Sequence, residues 1–465
     1  MKERFGSAAV AALLCAGCSG SDADPSAVDS AVLLVIDTLR ADDAYDPQVA
    51  PNLNALAQQS VVFDRAFSSA SYTLASTATL FTGLRPPAHA NLGEQSNVLQ
   101  PAHRTLAEAL SAAGVATAAF SCNPHISRPG GFDQGFGDFG FYGRDTFGDH
   151  RVPAAVVDDV LLWWREHESE SRFAYVHVLP PHAPYQAPLA FRQARGIGNV
   201  DLERGLQARL EELNSAGPIA PSDPRVAELR DLYRASVLYI DDWANGLRRR
   251  LLIEGSEEGL GWIVTSDHGE GFMEHGRLSH GFTPYAEQVR VPLIWSWPGL
   301  EPRREQGLVE TRDLAATLCE AFGATWPAED HGRGWWSALT AGESIADGPG
   351  VLSRSMGRFP GWSWRTAQWT TIFQSKSGII QYYDGRQDPR EVDELTSKLG
   401  DDLETQGEWT ALMDDFDAAL AHDQSLRVPI EAPRFHTVFA KELAALGYLA
   451  NPEDGERVAP ANDDE

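Results

Sequence analysis

The sequence predicts an α/β fold in which a large, mostly parallel central sheet is sandwiched by helices. Two stretches carry this prediction: residues 31–36 (AVLLVI) and 261–265 (GWIVT) are apolar runs of the length of buried strands. Unbroken apolar strands are typical of a parallel sheet whose two faces are both covered. Segments with helical spacing lie between them, so strands and helices are expected to alternate along the chain.

Length and charge limit the classes of protein that this chain represents. Its 465 residues, 43% of them hydrophobic, are enough for one large α/β unit or for two or three domains. The net charge of −28, from 38 Lys+Arg against 66 Asp+Glu, argues against binding to nucleic acid or to an anionic membrane surface. The body of the chain has no apolar run of membrane-spanning length. An anionic substrate would need local positive charge, which a metal ion supplies.

The other elements follow in order along the chain. Residues 195–224 are polar and are expected to form a loop on the substrate side. Helices are predicted at 51–60, 73–82, 106–113, 225–252, 310–325 and 402–422, strands at 60–63, 115–120 and 173–178, and a strand-rich segment at 350–385.

The segment SYTLASTATLFTG, residues 71–83, predicts a helix that begins at Thr73. Leu74, Ala78 and Phe81 recur at helical spacing, and a glycine follows as a stop signal. A hydroxyl at the start of a helix lies beside unpaired backbone N–H groups at the positive end of the dipole, which suits an anion or an alkoxide. The same hydroxyl would also serve as an N-cap, so this stretch alone leaves both readings open.

Acidic residues follow two of the predicted strands. Asp37 ends the first strand, and Asp267 with His268 ends the strand at 261–265. Ligands of open α/β sheets bind at the carboxyl ends of the strands. One aspartate there would be a loop cap, but two such ends, His268 and the Thr73 hydroxyl together predict a metal site with an attacking oxygen.

This order of motifs resembles the sulfatase family of the alkaline phosphatase superfamily. The family signature Cys/Ser-x-Pro-Ser-Arg-x-x-Leu-x-Thr-Gly stands here as TLASTATLFTG, residues 73–83. The resemblance covers roughly residues 30–325, and the rest more weakly. It implies a catalytic domain at 30–328, a C-terminal subdomain with a small antiparallel sheet plus a helix at 329–430, and an acidic, disordered tail within 431–465. Further matches are PNLxxLA at 51–57, PHAPY at 181–185 and VPLI at 291–294.

Three departures from the signature bear on the reaction. Thr73 stands in place of the Cys or Ser that sulfatases oxidise to an aldehyde, a conversion that threonine cannot undergo. Ala75 and Thr77 replace the motif's Pro and Arg, which argues against recognition by the maturation enzyme. Related phosphodiesterases and phosphotransferases use a plain threonine, so the resemblance favours a phosphorus ester over a sulfur ester.

The resemblance also implies a ligand set and substrate contacts. One divalent metal ion would be held by Asp37, Thr73, Asp267 and His268, and Thr38 stands where many sulfatases have a further aspartate. A less charged, softer ligand set favours Zn²⁺ or Mn²⁺, although some family members keep Ca²⁺ with an Asp-His pair.

Four further residues match places that contact the substrate in the family. Asn123 and His125 lie where sulfatases carry a Lys and a His that bind the sulfate. His182 matches the histidine that faces the leaving group, and a histidine can protonate a departing oxygen at neutral pH. His280 occupies a place where sulfatases commonly have another lysine, and is a candidate acid or substrate contact.

These residues predict a metal-dependent hydrolase that cleaves a phosphoric (diester or phosphonate) or sulfuric ester through Thr73. Three alternatives stay open: a sulfatase without formylglycine, a transferase that moves a phospho-substituent to an envelope glycan or lipid, and an inactive sulfatase-like binding protein. The expected partner is an anionic ester, with a glycan or a lipid as candidate carriers, and no nucleic acid.

The N-terminal residues MKERFGSAAVAALLCAGC, 1–18, resemble a bacterial lipoprotein signal in which Cys18 becomes lipidated. An ordinary secretory peptide cut nearby is the alternative. Residues 19–29 would form a flexible tether, so we expect an exported enzyme of the bacterial cell envelope that contacts the membrane through its lipid anchor only. Cys122 and Cys319 are expected to be buried thiols.

Overall fold

The computed structural model describes residues 28–90, 98–143, 152–198, 206–217, 219–254, 259–327, 330–357, 360–396 and 403–430. It confirms the α/β fold with a large central sheet, helices and a small C-terminal antiparallel sheet. Cys18 and the predicted signal at 1–18, most of the tether and the tail at 431–465 lie outside the described residues, so these expectations stay predictions, as do the domain boundaries. Within the described ranges, no helix combines the length and the apolar character needed to cross a bilayer.

The strands are numbered in chain order as follows: β1 Ser30–Ile36, β2 Val61–Phe63, β3 Ala66–Phe67, β4 Ala116–Ser121, β5 Asp138–Phe141, β6 Arg172–Val178, β7 Leu260–Thr265, β8 Gly271–Phe272, β9 Leu278–Ser279, β10 Leu293–Ser296, β11 Arg303–Glu305, β12 Val309–Glu310, β13 Val351–Arg354, β14 Gly361–Arg365, β15 Trp369–Gln374 and β16 Ile379–Asp384.

The helices are numbered likewise: α1 Ala41–Ala44, α2 Pro51–Ala57, α3 Thr73–Thr82, α4 Pro86–His89, α5 Leu106–Ala112, α6 Ala154–Glu166, α7 Leu189–Ala194, α8 Leu206–Ser215, α9 Pro224–Glu254, α10 Ala286–Val289, α11 Asp313–Ala321, α12 Trp336–Ala341 and α13 Leu403–Ser425. A short 3₁₀ turn spans Arg128–Gly130.

The central sheet, as far as it is described, has eight strands in the order β11-β2-β10-β7-β1-β6-β4-β5. Only β10 runs antiparallel to its neighbours, β7 and β2. β1 is fully buried, and its alternate side chains enter different cores. Val32 and Leu34 pack into the core on one face, whereas Leu33 and Val35 pack into the core on the other. Coverage of both faces explains why residues 31–36 of this strand are all apolar.

The register of three neighbouring strands places the candidate site. Val35 of β1 pairs with His177 of β6 on one side and with Thr265 of β7 on the other. The loops that leave β1 and β7 therefore begin side by side, and the Asp37 N–H donates to the carbonyl oxygen of Val178 at 3.1 Å. Polar residues that are far apart in sequence meet at one edge of the sheet.

The C-terminal subdomain packs a four-stranded antiparallel sheet, β13 to β16, against α13. Trp364 and Tyr382 from the sheet meet Trp409 and Phe416 from the helix, and the rings of Tyr382 and Trp409 stack with centroids 4.2 Å apart. These aromatic side chains form a small core between the sheet and the helix.

One strand of this subdomain also contacts the segment that leads into α3. The Ser71 N–H donates to the carbonyl oxygen of Arg354 at 3.0 Å, and the Arg354 N–H donates to the carbonyl oxygen of Ser69 at 2.9 Å. The Arg354 guanidinium also donates to the Tyr72 hydroxyl at 2.8 Å. The end of β13 thus braces the loop that leads into α3.

A predicted helix start and a predicted loop both differ from the structure. The helix expected over 310–325 begins at Asp313, because Val309 and Glu310 pair with β3 as a short strand. The polar stretch expected as a loop contains α8, whose Asn214 side chain donates to the carbonyl oxygen of Leu278 and accepts from its N–H at 2.8 Å. In both places a partner distant in sequence decides the local structure.

Candidate active site

The hydroxyl of Thr73 lies at the first turn of α3, and Tyr72, in extended conformation, is the N-cap residue. The N-cap reading of Thr73 is therefore wrong by one position. Its Oγ1 atom is buried and lies 3.2 Å from the Nε2 atom of His268. α3 ends at Gly83, whose φ of 66° and close approach to the carbonyl oxygen of His331 leave no space for a Cβ atom.

The structure brings Asp37, Asp267 and His268 together as a buried group of potential metal ligands. One ligand atom from each lies within 4.8 Å of the others. The Oδ1 atom of Asp37 and the Oδ2 atom of Asp267 are buried and accept no hydrogen bond. Burying a carboxylate oxygen without a partner is costly, and a divalent cation would compensate both oxygens. The donor set therefore fits a metal ion, with the Thr73 oxygen beside it.

The loops after β1 and β7 are bound to each other at this site. The Asp267 Oδ1 atom accepts from the backbone N–H groups of Thr38 at 3.2 Å and His268 at 2.9 Å. Thr38 has a φ of 58°, which is costly for a β-branched residue. The Ser266 hydroxyl lies 2.6 Å from the carbonyl oxygens of Ile36 and His268. Sequence reasoning missed this serine, although it stands inside the Ser-Asp-His-Gly motif.

Asp37 is held from its other side by Asn123 and His177. Its Oδ2 atom accepts from the Asn123 amide at 2.6 Å and lies 3.4 Å from the His177 Nε2 atom. Burial alone would raise the pKa of Asp37, but the hydrogen bond from His177 and the nearby imidazoles of His182 and His268 hold that pKa below its ordinary value. Asp37 is therefore an ionised carboxylate at neutral pH.

The predicted substrate contacts of Asn123 and His125 stay predictions. The Asn123 amide nitrogen faces Asp37, and its carbonyl oxygen accepts from the His125 N–H at 2.9 Å. Asn123 is thus an orienting partner of a candidate ligand, a role that the sequence did not indicate. Burial lowers the pKa of His125 to about 4.

Three imidazoles form a row beside Thr73. The ring centroid of His280 lies 4.4 Å from that of His268 and 4.8 Å from that of His182. The His182 Nδ1 atom lies 2.7 Å from the carbonyl oxygen of Ala183. Burial lowers the pKa of His182, and lowers that of His280 to about 3. The structure therefore gathers the predicted catalytic and metal-binding side chains in one place.

Glu270 also belongs to this site, although sequence reasoning assigned it no role. Its side chain is fully buried, and its Oε1 atom lies 3.2 Å from the Nδ1 atom of His280. Burial raises the pKa of Glu270 to about 7. Its position next to the Asp-His-Gly turn was the available signal. By contrast, the Glu274 carboxylate pairs with the Arg40 guanidinium at 2.8 Å.

Comparison with known proteins agrees with this geometry. A family model described as Sulfatase matches residues 30–324. An endo-4-O-sulfatase from Bacteroides thetaiotaomicron is 24% identical over 341 residues, which cover 62% of this chain and 65% of that protein. An arylsulfatase from Clostridium perfringens is 20% identical over 432 residues, which cover 78% of this chain and 89% of that protein. The chain thus spans slightly less than two thirds of the endo-4-O-sulfatase.

Solved structures show the same fold. A phosphonate monoester hydrolase from Agrobacterium radiobacter superposes with a TM-score of 0.66 at 18% identity, covering 85% of this chain and 96% of that one. A phosphonate monoester hydrolase from Silicibacter pomeroyi gives a TM-score of 0.66 at 19% identity, covering 85% and 95%. Because the family model spans most of the described chain and contains the site residues, the protein belongs to the sulfatase family of the alkaline phosphatase superfamily.

Proposed function

We propose that this protein is a metal-dependent hydrolase that cleaves a phosphoric diester, a phosphonate ester or a sulfuric ester through the oxygen of Thr73. The observation that carries the proposal is the 3.2 Å distance between the Thr73 Oγ1 atom and the His268 Nε2 atom. The two buried carboxylates of this site each keep one oxygen without a hydrogen bond, which supports a bound metal ion that activates the hydroxyl.

The ligands of the divalent ion would be Asp37, Asp267, His268 and Thr73. When bound, such an ion lowers the pKa of a hydroxyl and neutralises charge on the substrate. We propose Zn²⁺ or Mn²⁺ before Ca²⁺, because the set has one imidazole and only two carboxylates.

Thr73 and the side chains around it would carry out the attack on the ester and the proton transfer to the leaving oxygen. The Thr73 oxygen attacks phosphorus or sulfur, and the N-terminal end of α3 favours the negative charge of the ester. His182 is the candidate that passes a proton to the leaving oxygen, and His280, whose ring centroid lies 4.8 Å away, is a candidate contact for an oxygen of the ester. Water then releases the acid from Thr73 and restores the hydroxyl.

Two considerations bear on the ester. Thr73 cannot be converted into the aldehyde on which the sulfatase reaction depends, which favours phosphorus. The names of the curated relatives, endo-4-O-sulfatase and arylsulfatase, favour sulfur. A sulfatase without formylglycine is therefore the second candidate, and a glycan is a candidate carrier of the ester. A transferase is a further alternative, whereas a catalytically inactive protein has no use for two buried carboxylate oxygens without hydrogen bonds.

The test is hydrolysis of four matched aryl substrates, namely a sulfate, a phosphate monoester, a phosphodiester and a phosphonate monoester. The protein is stripped of metal and reloaded separately with Zn²⁺, Mn²⁺ or Ca²⁺. We expect phosphodiester or phosphonate turnover with Zn²⁺ or Mn²⁺, and its loss in Thr73→Ala. Sulfate turnover with Ca²⁺ would support the second candidate, and turnover of none by a metal-loaded protein would contradict the proposal.

A further inference from the structure

Hydrogen bonds of the backbone around Glu270 hold its carboxylate within the site. The Gly269 N–H donates to the carbonyl oxygen of Gln288 at 2.9 Å, and the Glu270 N–H donates to that of Glu287 at 3.0 Å. A Cβ atom at Gly269 would collide with the carbonyl oxygen of Glu287, so only glycine permits this close approach. The Arg40 guanidinium donates to the Glu270 carbonyl oxygen at 2.7 Å. These contacts fix the position of the Glu270 Cα atom and the direction in which its side chain leaves the backbone.

That side chain ends at His280. The Glu270 Oε1 atom lies 3.2 Å from the His280 Nδ1 atom, and both side chains are buried. Because Nδ1 faces Glu270, Nε2 is the nitrogen through which His280 would contact an oxygen of the substrate. A carboxylate at Nδ1 fixes the orientation of the ring, and with a hydrogen on both ring nitrogens His280 would donate from Nδ1 to Glu270 and from Nε2 to the ester oxygen.

The residue type at position 280 makes such a partner necessary. A lysine, which the family resemblance places here, carries three equivalent N–H donors on a flexible stem. An imidazole has two distinct nitrogens in a planar ring, and it contacts an ester oxygen only when the ring is turned correctly. The change from lysine to histidine therefore calls for a group that holds the ring, and Glu270 lies at hydrogen-bonding distance from it.

We propose that Glu270 is a positioning residue that acts through His280, holding its ring so that Nε2 meets an oxygen of the anionic ester. The inference rests on the proposed ester hydrolase function. It adds a residue pair, Glu270 and His280, to the ligands and to Thr73, and it assigns the pair to the anionic group rather than to the alcohol portion of the substrate.

The test is a double-mutant cycle with Glu270→Ala, His280→Ala and the double variant, measured as kcat and KM on the ester that the wild type turns over. We expect Glu270→Ala to lower kcat/KM about 10- to 100-fold. The double variant should be no slower than His280→Ala alone, because a residue that acts through another adds nothing once that residue is gone. Glu270→Gln, which keeps an oxygen for Nδ1, should recover part of the loss.

Glu305→Ala is the matched control. Glu305 is also a buried glutamate with partners, Arg303 and the Ile345 N–H, but it lies on the edge strand β11. We expect Glu305→Ala to lower the melting temperature. Because Glu305 and His280 act independently, the fold-loss in kcat/KM of the Glu305→Ala/His280→Ala double variant should be the product of the two single losses. If Glu270→Ala also multiplies with His280→Ala, the positioning role is overturned and Glu270 is structural.

Binding of vanadate, a tetrahedral anion, gives a readout that does not require turnover. Calorimetry on the metal-loaded protein should show weaker vanadate binding for Glu270→Ala and for His280→Ala, with no further loss in the double variant. Wild-type tightness in Glu270→Ala would overturn the inference. Failure of the wild type to hydrolyse any ester would instead overturn the proposed function. The vanadate measurements would still test the coupling of Glu270 to His280, because they do not require turnover.

Discussion

The Oγ1 atom of Thr73 and the Nε2 atom of His268 lie 3.2 Å apart although 195 positions separate them in the sequence. One atom belongs to the start of a helix and the other to the end of a strand, so the contact exists only in the folded sheet. A buried hydroxyl in this position is the candidate nucleophile of the proposed reaction.

Replacing Thr73 tests this reading directly. We expect Thr73→Ala to lower kcat by at least about 1,000-fold, because no other hydroxyl takes its place, with little change in melting temperature. Thr73→Ser keeps the oxygen and should retain activity. The neighbouring Thr79, whose hydroxyl pairs with His89 at 3.1 Å, provides the control Thr79→Ser, which should leave kcat within about threefold. Activity of Thr73→Ala close to wild type would exclude the nucleophile.

Metal removal should destabilise the fold as well as abolish activity. Asp37 and Asp267 each carry a buried oxygen without a hydrogen bond, so an ion that binds the folded state relieves this cost. We expect the melting temperature, measured by calorimetry, to fall after treatment with a chelator and to recover on addition of Zn²⁺ or Mn²⁺. Asp267→Asn should reduce this response. Identical melting curves with and without the ion would contradict a metal site.

Thr38 is the position at which metal preference should be changed. Thr38→Asp adds a third carboxylate beside the ligands, which favours a hard, oxygen-binding ion, so we expect bound Ca²⁺ to increase relative to Zn²⁺ when the two compete. The control is Thr38→Asn, because asparagine tolerates a φ of 58° as aspartate does but adds no charge. Metal content measured by mass spectrometry should shift for the aspartate variant alone, and an equal shift in both variants would assign the effect to the backbone.

The contact between His275 and Glu287 should make stability depend on pH. The His275 Nδ1 atom lies 3.0 Å from the Glu287 carboxylate, and its Nε2 atom lies 2.7 Å from the carbonyl oxygen of Glu391. Burial lowers the pKa of His275, but the hydrogen bond and charge of Glu287 outweigh burial and raise it to about 9. Because this pKa exceeds that of the unfolded chain, the stabilisation is complete below about pH 6.5 and is lost as the pH rises through about 9.

Urea unfolding at several pH values measures this contribution. We expect the wild type to lose about 1–3 kcal/mol between neutral pH and pH values above the His275 pKa, and His275→Gln to lose less. The exposed pair of His422 and Asp330, 2.8 Å apart, is the comparison, because an exposed ion pair contributes little and His422→Gln should leave the free energy of unfolding nearly unchanged. A flat profile for the wild type would exclude the charged His275.

The sequence indicated the parts of the site that lie on regular elements. Asp37 and Asp267 follow buried apolar strands, and the register of β1 with β7 brings the loops after these strands together. The start of α3 was visible in its spacing and its glycine stop. These features depend on local patterns, which a single sequence contains.

The contacts that the sequence did not indicate are set by other parts of the fold. Glu270 is buried because the carbonyl oxygens of residues 287–288 accept hydrogen bonds from the backbone N–H groups of Gly269 and Glu270. Asn123 faces Asp37 because β4 and β1 flank β6, an order that is not apparent from the chain. Both residues read as loop positions, and only the packing of distant segments gives them a role.

The bonds between Arg354 and residues 69–71 have a consequence for the order in which the protein is made. Residues 69–71 precede Thr73, but their partner strand β13 emerges from the ribosome only after the whole central sheet has been synthesised. A nascent chain that already contains Thr73 and its neighbours Asp37 and His268 still lacks this brace. The loop that leads into α3 is therefore completed late in translation, and in a chain cut between residues 325 and 350 these bonds would form only by reassociation of the two fragments.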